Sequence, residues 1–243
     1  MSDIATLATA LVLGFLHALE IDHMLAVTTF VSRRPALATA AGFGLRWGIG
    51  HSLAVLVLGA ILLATGLTWP ERWTGYGEAA VGVMLVMLGL WSLRATRNLH
   101  VHPAPEHGDH LHLHTHKTGG RAEGQTGSGP TDRPTHAHAG PHSHAHRHAR
   151  GIGLVGLAHG LAGTSAVVAL VPVTMVGRTT VGIGYLVAFG LGVTVAMTLF
   201  ALGAAVAVRQ ASLRSLGLGK RISTGVGLAG VAVGVWWILR AVA

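Results

Sequence analysis

The chain has 243 residues, 51% of them hydrophobic and only 11% charged, whereas a soluble domain carries roughly a quarter charged residues. That deficit excludes a solvated globular surface over most of the chain, and it makes the net charge of +8 a report on membrane orientation rather than on nucleic acid. Cysteine is absent, which removes disulfide scaffolds, thiolate metal sites and dithiol redox relays and leaves histidine and carboxylate as ligands.

Apolar stretches of the roughly 20 residues needed to cross a bilayer are predicted at about 5–31, 38–67, 76–96, 152–177, 181–208 and 222–241. The first is too long for a cleavable signal and carries His17, Glu20, Asp22 and His23 where a signal core is plain, so it is expected to remain as a helix. Polar and proline-containing breaks separate the spans: Arg33-Arg34-Pro35, Trp69-Pro70-Glu71-Arg72, a long insert, Gly177-Arg178, and the stretch from Arg214 to Arg221. The expected architecture is an all-α membrane protein of six transmembrane helices, with a first three-helix unit over 1–97, an insert over 98–150 and a second unit over 151–243.

With the N-terminus outside, the inner loops hold Arg33, Arg34, Arg94, Arg97, Arg147, Arg150, Arg209, Arg214, Lys220 and Arg221, against Arg72, Arg178 and Arg240 outside. The positive-inside rule then places both termini outside and the insert in the cytoplasm of a bacterial cell, with the chain in the cytoplasmic membrane. The insert mixes Gly, Pro, Thr and Ser with 13 of the 17 histidines, in alternating runs such as His110-Leu111-His112-Leu113-His114. It lacks the large apolar residues needed for a core, so it is expected to be disordered. Alternating imidazoles suit a flexible chain wrapping a borderline metal such as nickel, cobalt, zinc or copper, and a tolerated low-complexity linker is the plainer explanation.

An ionisable group in hydrocarbon costs several kcal/mol, so each one inside a span is a functional candidate. His17, Glu20, Asp22 and His23 in the first span, Arg46 and His51 in the second and His159 in the fourth qualify, with Glu78 near a span end. On a straight helix His17, Glu20 and His23 share one sector and Asp22 points elsewhere, as a support for the ligands or an ion-pair mate for Arg46. A locally unwound helix brings Asp22 in too, and the sequence leaves both geometries open. Beside these histidines, Ser52, Thr164 and Ser165 are supporting candidates, although such hydroxyls usually bond within their own helix.

An internal repeat orders these residues. Gly14-Phe15-Leu16-His17-Ala18-Leu19 matches Gly156-Leu157-Ala158-His159-Gly160-Leu161, setting His17 against His159. At the same offset Trp47-Gly48-Ile49-Gly50-His51-Ser52 matches Phe189-Gly190-Leu191-Gly192-Val193-Thr194, and Trp91-Ser92-Leu93-Arg94 resembles Trp237-Ile238-Leu239-Arg240 after a small gap. Three helices per unit make the second unit enter from the opposite side, so two inverted three-helix repeats are expected around a midplane site. Patterns such as Gly48-Ile49-Gly50 and Gly182-Ile183-Gly184, among 35 glycines, suit close helix approach.

The motifs carry a family resemblance. His17-Ala18-Leu19-Glu20-Ile21-Asp22-His23 fits the HxxxxDH signature of the nickel/cobalt transporter family, and Gly50-His51-Ser52 looks like its second motif. His159-Gly160-Leu161-Ala162-Gly163-Thr164-Ser165 resembles the matching segment of the smaller six-helix, urease-accessory (UreH-type) members. The resemblance covers both halves and leaves the insert unmatched. It implies nickel or cobalt as cargo and His17, Asp22, His23 and His51 as residues to carry over. Classical importers favour Asp-Ala-Asp-His where this chain has Glu20-Ile21-Asp22-His23, and they have two further helices; the His-rich loop is similar to that of the efflux branch.

The expected function is therefore secondary transport of a divalent transition metal, with import favoured over efflux. The metal set is His17, Glu20, Asp22, His23, His51 and His159, and Ni2+ or Co2+ is transported substrate rather than a tightly bound cofactor. The expected partners are the metal ion, the bilayer and a cytoplasmic metallochaperone, with no nucleic acid. The chain is not expected to be an enzyme: HExxH is missing, and Gly217-Leu218-Gly219-Lys220-Arg221 lacks the spacing and hydroxyl of a phosphate-binding loop. Two alternatives stand beside transport: a metal-binding membrane accessory protein for maturation of a metalloenzyme such as urease, and a membrane haem protein using the intramembrane histidines as axial ligands.

Overall fold

The computed structural model describes residues 2–33, 35–67, 71–97, 145–162 and 178–242, all of them helix or short connection. The expectations for the His-rich insert up to residue 144, for the far part of the fourth span and for Thr164 and Ser165 lie outside the described residues. Seven helices are described: α1 (Asp3–His17), α2 (Ile21–Val31), α3 (Leu37–Thr65), α4 (Glu71–Arg97), α5 (Ala145–Ala162), α6 (Thr179–Arg214) and α7 (Leu216–Val242). Four, namely α3, α4, α6 and α7, are long and apolar enough to cross a membrane, and the bent pair α1–α2 brings the number to five. Within α5 the described apolar part runs over Ile152–Ala162. The chain is thus an all-α, multi-pass helical protein.

Local chemistry sets the helix ends. Ser2 caps α1 by accepting the Ala5 N–H at 3.3 Å, and Asp3 places negative charge in the first turn. α3 stops at Gly66, whose φ of +67° is left-handed and whose N–H closes the last turn on the Leu62 carbonyl at 2.9 Å, a conformation costly for a residue with a Cβ. α1 and α2 are one apolar stretch broken at Ala18-Leu19-Glu20. Glu20 adopts extended backbone with ψ of 152°, and the axis turns by 58°.

Packing is directional. Asp3 and Arg178, at the starts of α1 and α6, form an ion pair at 3.2 Å, so these two helices run side by side in the same sense. α3 and α6 run in opposite senses: a Cβ on Gly48 would meet the Thr194 Cα at 2.7 Å, and one on Gly190 would meet the Ser52 Cβ at 2.9 Å. α4 and α7 are likewise antiparallel, with Gly82 against the Gly234 carbonyl and Gly89 against the Gly227 carbonyl, each leaving a Cβ only 2.6 Å. α5 lies against α3, where Gly156 abuts the Trp47 carbonyl and Gly160 the His51 carbonyl. Small residues at these crossings let backbones touch, which is how helices associate without a hydrophobic drive in lipid.

The contacts recur at the repeat offset. Ser52 and Thr194 stand 142 positions apart, and the same shift turns the approach of Gly14 to Phe189 into that of Gly156 to Trp47. It also turns Gly192 against Leu11 and Phe15 into Gly50 against Gly153 and Leu157. Outward-facing side chains follow suit. Leu45, Ile49, Leu53 and Val57 make an exposed stripe on α3, and Val187, Leu191, Val195 and Leu199 make its counterpart on α6. Continuous exposed apolar stripes of this extent are unstable in water and match a lipid environment.

Candidate metal centre

The break in the first span positions the site. α1 ends on His17 and α2 begins with Ile21-Asp22-His23, so the unwound residues 18–20 let His17, Asp22 and His23 all turn inward while Glu20 stays exposed. Single-face geometry for a straight helix therefore does not apply, and Asp22 turns inward beside His23. From α3 comes His51 and from α5 comes His159, each carried to the centre by the glycine-lined approach of those two helices.

The four imidazoles form one cluster. Ring centroids lie 4.6 Å apart for His17–His23, 5.4 Å for His17–His51, 5.0 Å for His23–His51, 4.3 Å for His23–His159 and 5.8 Å for His51–His159. His23 and His51 are fully buried, His159 is 1% exposed, Asp22 4% and His17 7%. Such burial of polar rings in an apolar bundle is costly unless something engages their nitrogens.

Carboxylates engage some of them. His17 Nδ1–H donates to Glu20 Oε1 at 2.9 Å, His23 Nδ1–H donates to Asp22 Oδ1 at 3.2 Å, and His159 Nε2–H donates to Asp22 Oδ2 at 3.0 Å. A carboxylate on one ring nitrogen fixes the tautomer and turns the other lone pair outward, the arrangement typical behind metal-ligating histidines. The remaining atoms, His17 Nε2, His23 Nε2, His159 Nδ1 and both nitrogens of His51, are buried with no hydrogen-bond partner among the described residues. Each orphaned buried polar atom costs about 1–3 kcal/mol. A histidine kept only for packing would have its nitrogens bonded; these have no partner among the described residues.

Two groups have ligand atoms all within 4.8 Å of one another: His17, His23 and His51, and Asp22, His23 and His159. Neutral imidazole with carboxylate is a donor set for borderline divalent ions such as nickel, cobalt or zinc. Glu20 is exposed and bonded to His17, so within this geometry it orients the His17 ring. Ser52 donates to the Gly190 carbonyl at 2.9 Å and meets Thr194 at 3.2 Å, tying α3 to α6 just beyond His51. Arg46 departs from expectation: it is exposed and donates to the Gly42 carbonyl at 3.4 Å, while both oxygens of Asp22 are taken by histidines. Of the two roles open to Asp22, the ion pair with Arg46 is absent among the described residues, because Arg46 sits exposed on the outer face of α3.

Two aromatic residues complete the wall without having been singled out as site residues. Phe189 stacks on His17 and Trp47 leans on His159, both with centroids 5.7 Å apart. They are repeat counterparts, as are the histidines they support. The repeat register was the signal that could have found them.

Among known proteins, the chain is similar to the urease accessory protein UreH of Bacillus sp. (strain TB-90), with 29% identity over 200 residues spanning 81% of this chain and 75% of the relative. That relative bears an accessory name, in line with the expectation that the chain is not an enzyme. No family model matches the chain, and no solved structure matches it. What sequence, fold and comparison show together is a multi-pass helical membrane protein with buried His/Asp clusters able to hold a metal, related at a distance to a urease accessory protein.

Proposed function

We propose that this protein is a metal-binding membrane accessory protein that supplies a divalent transition metal, nickel by preference, for maturation of a metalloenzyme of the urease type. The observation that carries this is the cluster of buried imidazoles with two sets of ligand atoms within 4.8 Å of one another, in which several ring nitrogens have no hydrogen-bond partner among the described residues while carboxylates hold one nitrogen each of His17 and His23. The likeness to a urease accessory protein supports the context, and the resemblance of the HxxxxDH stretch to the nickel/cobalt transporter family supports the choice of metal. His17, His23 and His51 are the proposed ligands, Asp22 and His159 a second set, and Glu20 a positioning residue. The imidazole contacts of 4.3–5.8 Å leave no slot for a porphyrin between the rings, which disfavours a haem protein.

A second proposal, secondary transport with import favoured, draws on the broken first span. Discontinuous helices meeting at midplane are how many transporters expose ion sites, and the recurrence of helix contacts at one offset supports six spans in two inverted repeats. In that arrangement the termini lie outside, the His-rich loop faces the cytoplasm and hands metal to a chaperone, and the ion leaves when the two repeats rock. The two readings join if supply to the enzyme proceeds through the bundle.

The test is urease activation in a bacterial host without its own nickel importer, at limiting nickel, with intact protein, a His51→Leu variant and a variant lacking 100–148. Activation by intact protein and loss in His51→Leu are expected; equal activation by both contradicts a role for the centre. If activity fails without the insert while accumulation of radioactive nickel persists, delivery rests on the insert and flux on the bundle.

A further inference from the structure

The four imidazoles are not equivalent. His23 and His51 touch each other, and each touches both of the others, His17 at 4.6 and 5.4 Å and His159 at 4.3 and 5.8 Å. They are a middle pair flanked by His17 from the first half of the chain and by its repeat counterpart His159 from the second. The two convergent ligand sets follow this division, one using His17 and the other His159, and they share only His23.

His23 is able to serve one set at a time. A neutral imidazole carries one N–H and one lone pair. While Nδ1–H is bonded to Asp22, its Nε2 lone pair is free for an ion beside His17 and His51. In that state Asp22 bridges His23 and His159 through two hydrogen bonds, and the second set acts as a support. For an ion to lie in the second set it must replace those bonds, taking the Asp22 carboxylate, His23 through Nδ1 and His159 through Nε2, with the remaining proton of each ring on its other nitrogen. Two dications so close would also repel each other strongly.

Resting on the metal-binding function proposed above, we infer that the centre offers two alternative positions for a single divalent transition-metal ion, sharing His23, between which the ion passes from the first repeat to the second. The first position is His17, His23 and His51; the second is Asp22, His23 and His159. The shared ligand keeps the ion held during the step, and the pairing of His17 with His159 makes each half own one terminal ligand.

The experiment is a Co2+ titration of the full-length protein in detergent, followed by ligand-field absorption, for intact protein, His17→Ala, His159→Ala and His23→Ala. Subtracting the His23→Ala spectrum removes ions held elsewhere on this histidine-rich chain. His17→Gln and His159→Gln repeat the comparison if an alanine variant fails to elute as a single species. The expected result is that the His17 and His159 variants each keep a His23-dependent band, that the two bands differ, and that the intact spectrum is their weighted sum. Complete loss of the band in either variant, or one unchanged spectrum in both, overturns the two-position inference while leaving a single metal centre intact. An intact-like spectrum in His23→Ala removes the metal centre itself and this inference with it.

Discussion

Asp22 and His159 stand 137 positions apart in sequence and meet at 3.0 Å in the centre of the bundle. The carboxylate enters because the first span unwinds at Ala18-Leu19-Glu20, and the imidazole enters because Gly156 and Gly160 let α5 lie on the backbone of α3. One oxygen pair thus links the first half of the chain to the second and orients His23 at the same time.

Replacing Asp22 with Asn keeps the shape but leaves one terminal atom unable to accept a hydrogen bond, so one of its two histidines loses its orienting partner. Metal affinity is expected to fall by roughly 10–100-fold, the usual effect of losing a support behind a ligating histidine. Equilibrium dialysis with radioactive nickel, referenced to the His23→Ala background, measures it. An unchanged affinity contradicts the supporting role of Asp22.

Gly14→Ala and Gly156→Ala each drive a methyl group into a facing backbone carbonyl, that of Phe189 and that of Trp47. Both substitutions should destabilise the bundle by about 1–3 kcal/mol, the ordinary cost of overpacking. Gly203→Ala, on α6 with nothing within 4 Å of the added carbon, is the control and should be neutral or slightly stabilising. Thermal unfolding in detergent separates the three, and equal effects at all sites would contradict the close helix approach.

Ser52 and Thr194 face each other at 3.2 Å across α3 and α6, both within reach of the Gly190 carbonyl, so their two hydroxyl protons serve two of these three contacts at a time. In a double-mutant cycle with Ser52→Ala and Thr194→Val, coupling of about 0.5–1.5 kcal/mol is expected, as for a typical hydrogen bond. Strict additivity would mean that each hydroxyl bonds the Gly190 carbonyl independently of the other.

Only neutral imidazole ligates a metal, and the ordinary imidazole midpoint is about 6.5. Protonation competes with the ion, so affinity should be greatest at pH 8 and decline as pH falls through and below the ordinary imidazole range, more steeply than one proton per ion because several rings take part. Titration of nickel binding between pH 8 and 5 checks the sign. An affinity that rises as pH falls contradicts imidazole ligation.

Much of this was legible in the sequence, and the limits have physical causes. A charge deficit and long apolar runs give an all-α, multi-pass protein directly, because lipid tolerates little else. His17, His23, His51 and His159 stand out because ionisable groups are costly in hydrocarbon, and the repeat already pairs His17 with His159. The helix break at Ala18-Leu19-Glu20 was left open, since none of these residues is a strong helix breaker; what they lack in propensity is supplied by the contacts of His17 and Asp22 at the centre. Arg46 misleads because its intramembrane position hides which face of α3 carries it. Ser52 is placed by its partner on α6, which no local pattern specifies.

His51 offers the most direct test, because it is fully buried, neither of its nitrogens has a hydrogen-bond partner among the described residues, and its removal cuts no bond seen there. The measurement is the thermal midpoint of the full-length protein in detergent, intact and as His51→Leu, with and without nickel. Metal bound in the folded bundle raises the midpoint by mass action, whereas metal on a segment that is equally available after unfolding does not. If His51 serves metal rather than packing, the leucine variant is at least as stable as the intact protein without nickel, and the rise caused by nickel shrinks to what the Asp22, His23 and His159 position alone supports. A variant that is less stable without nickel and still gains the full nickel-dependent rise would contradict the assignment of this centre to a metal.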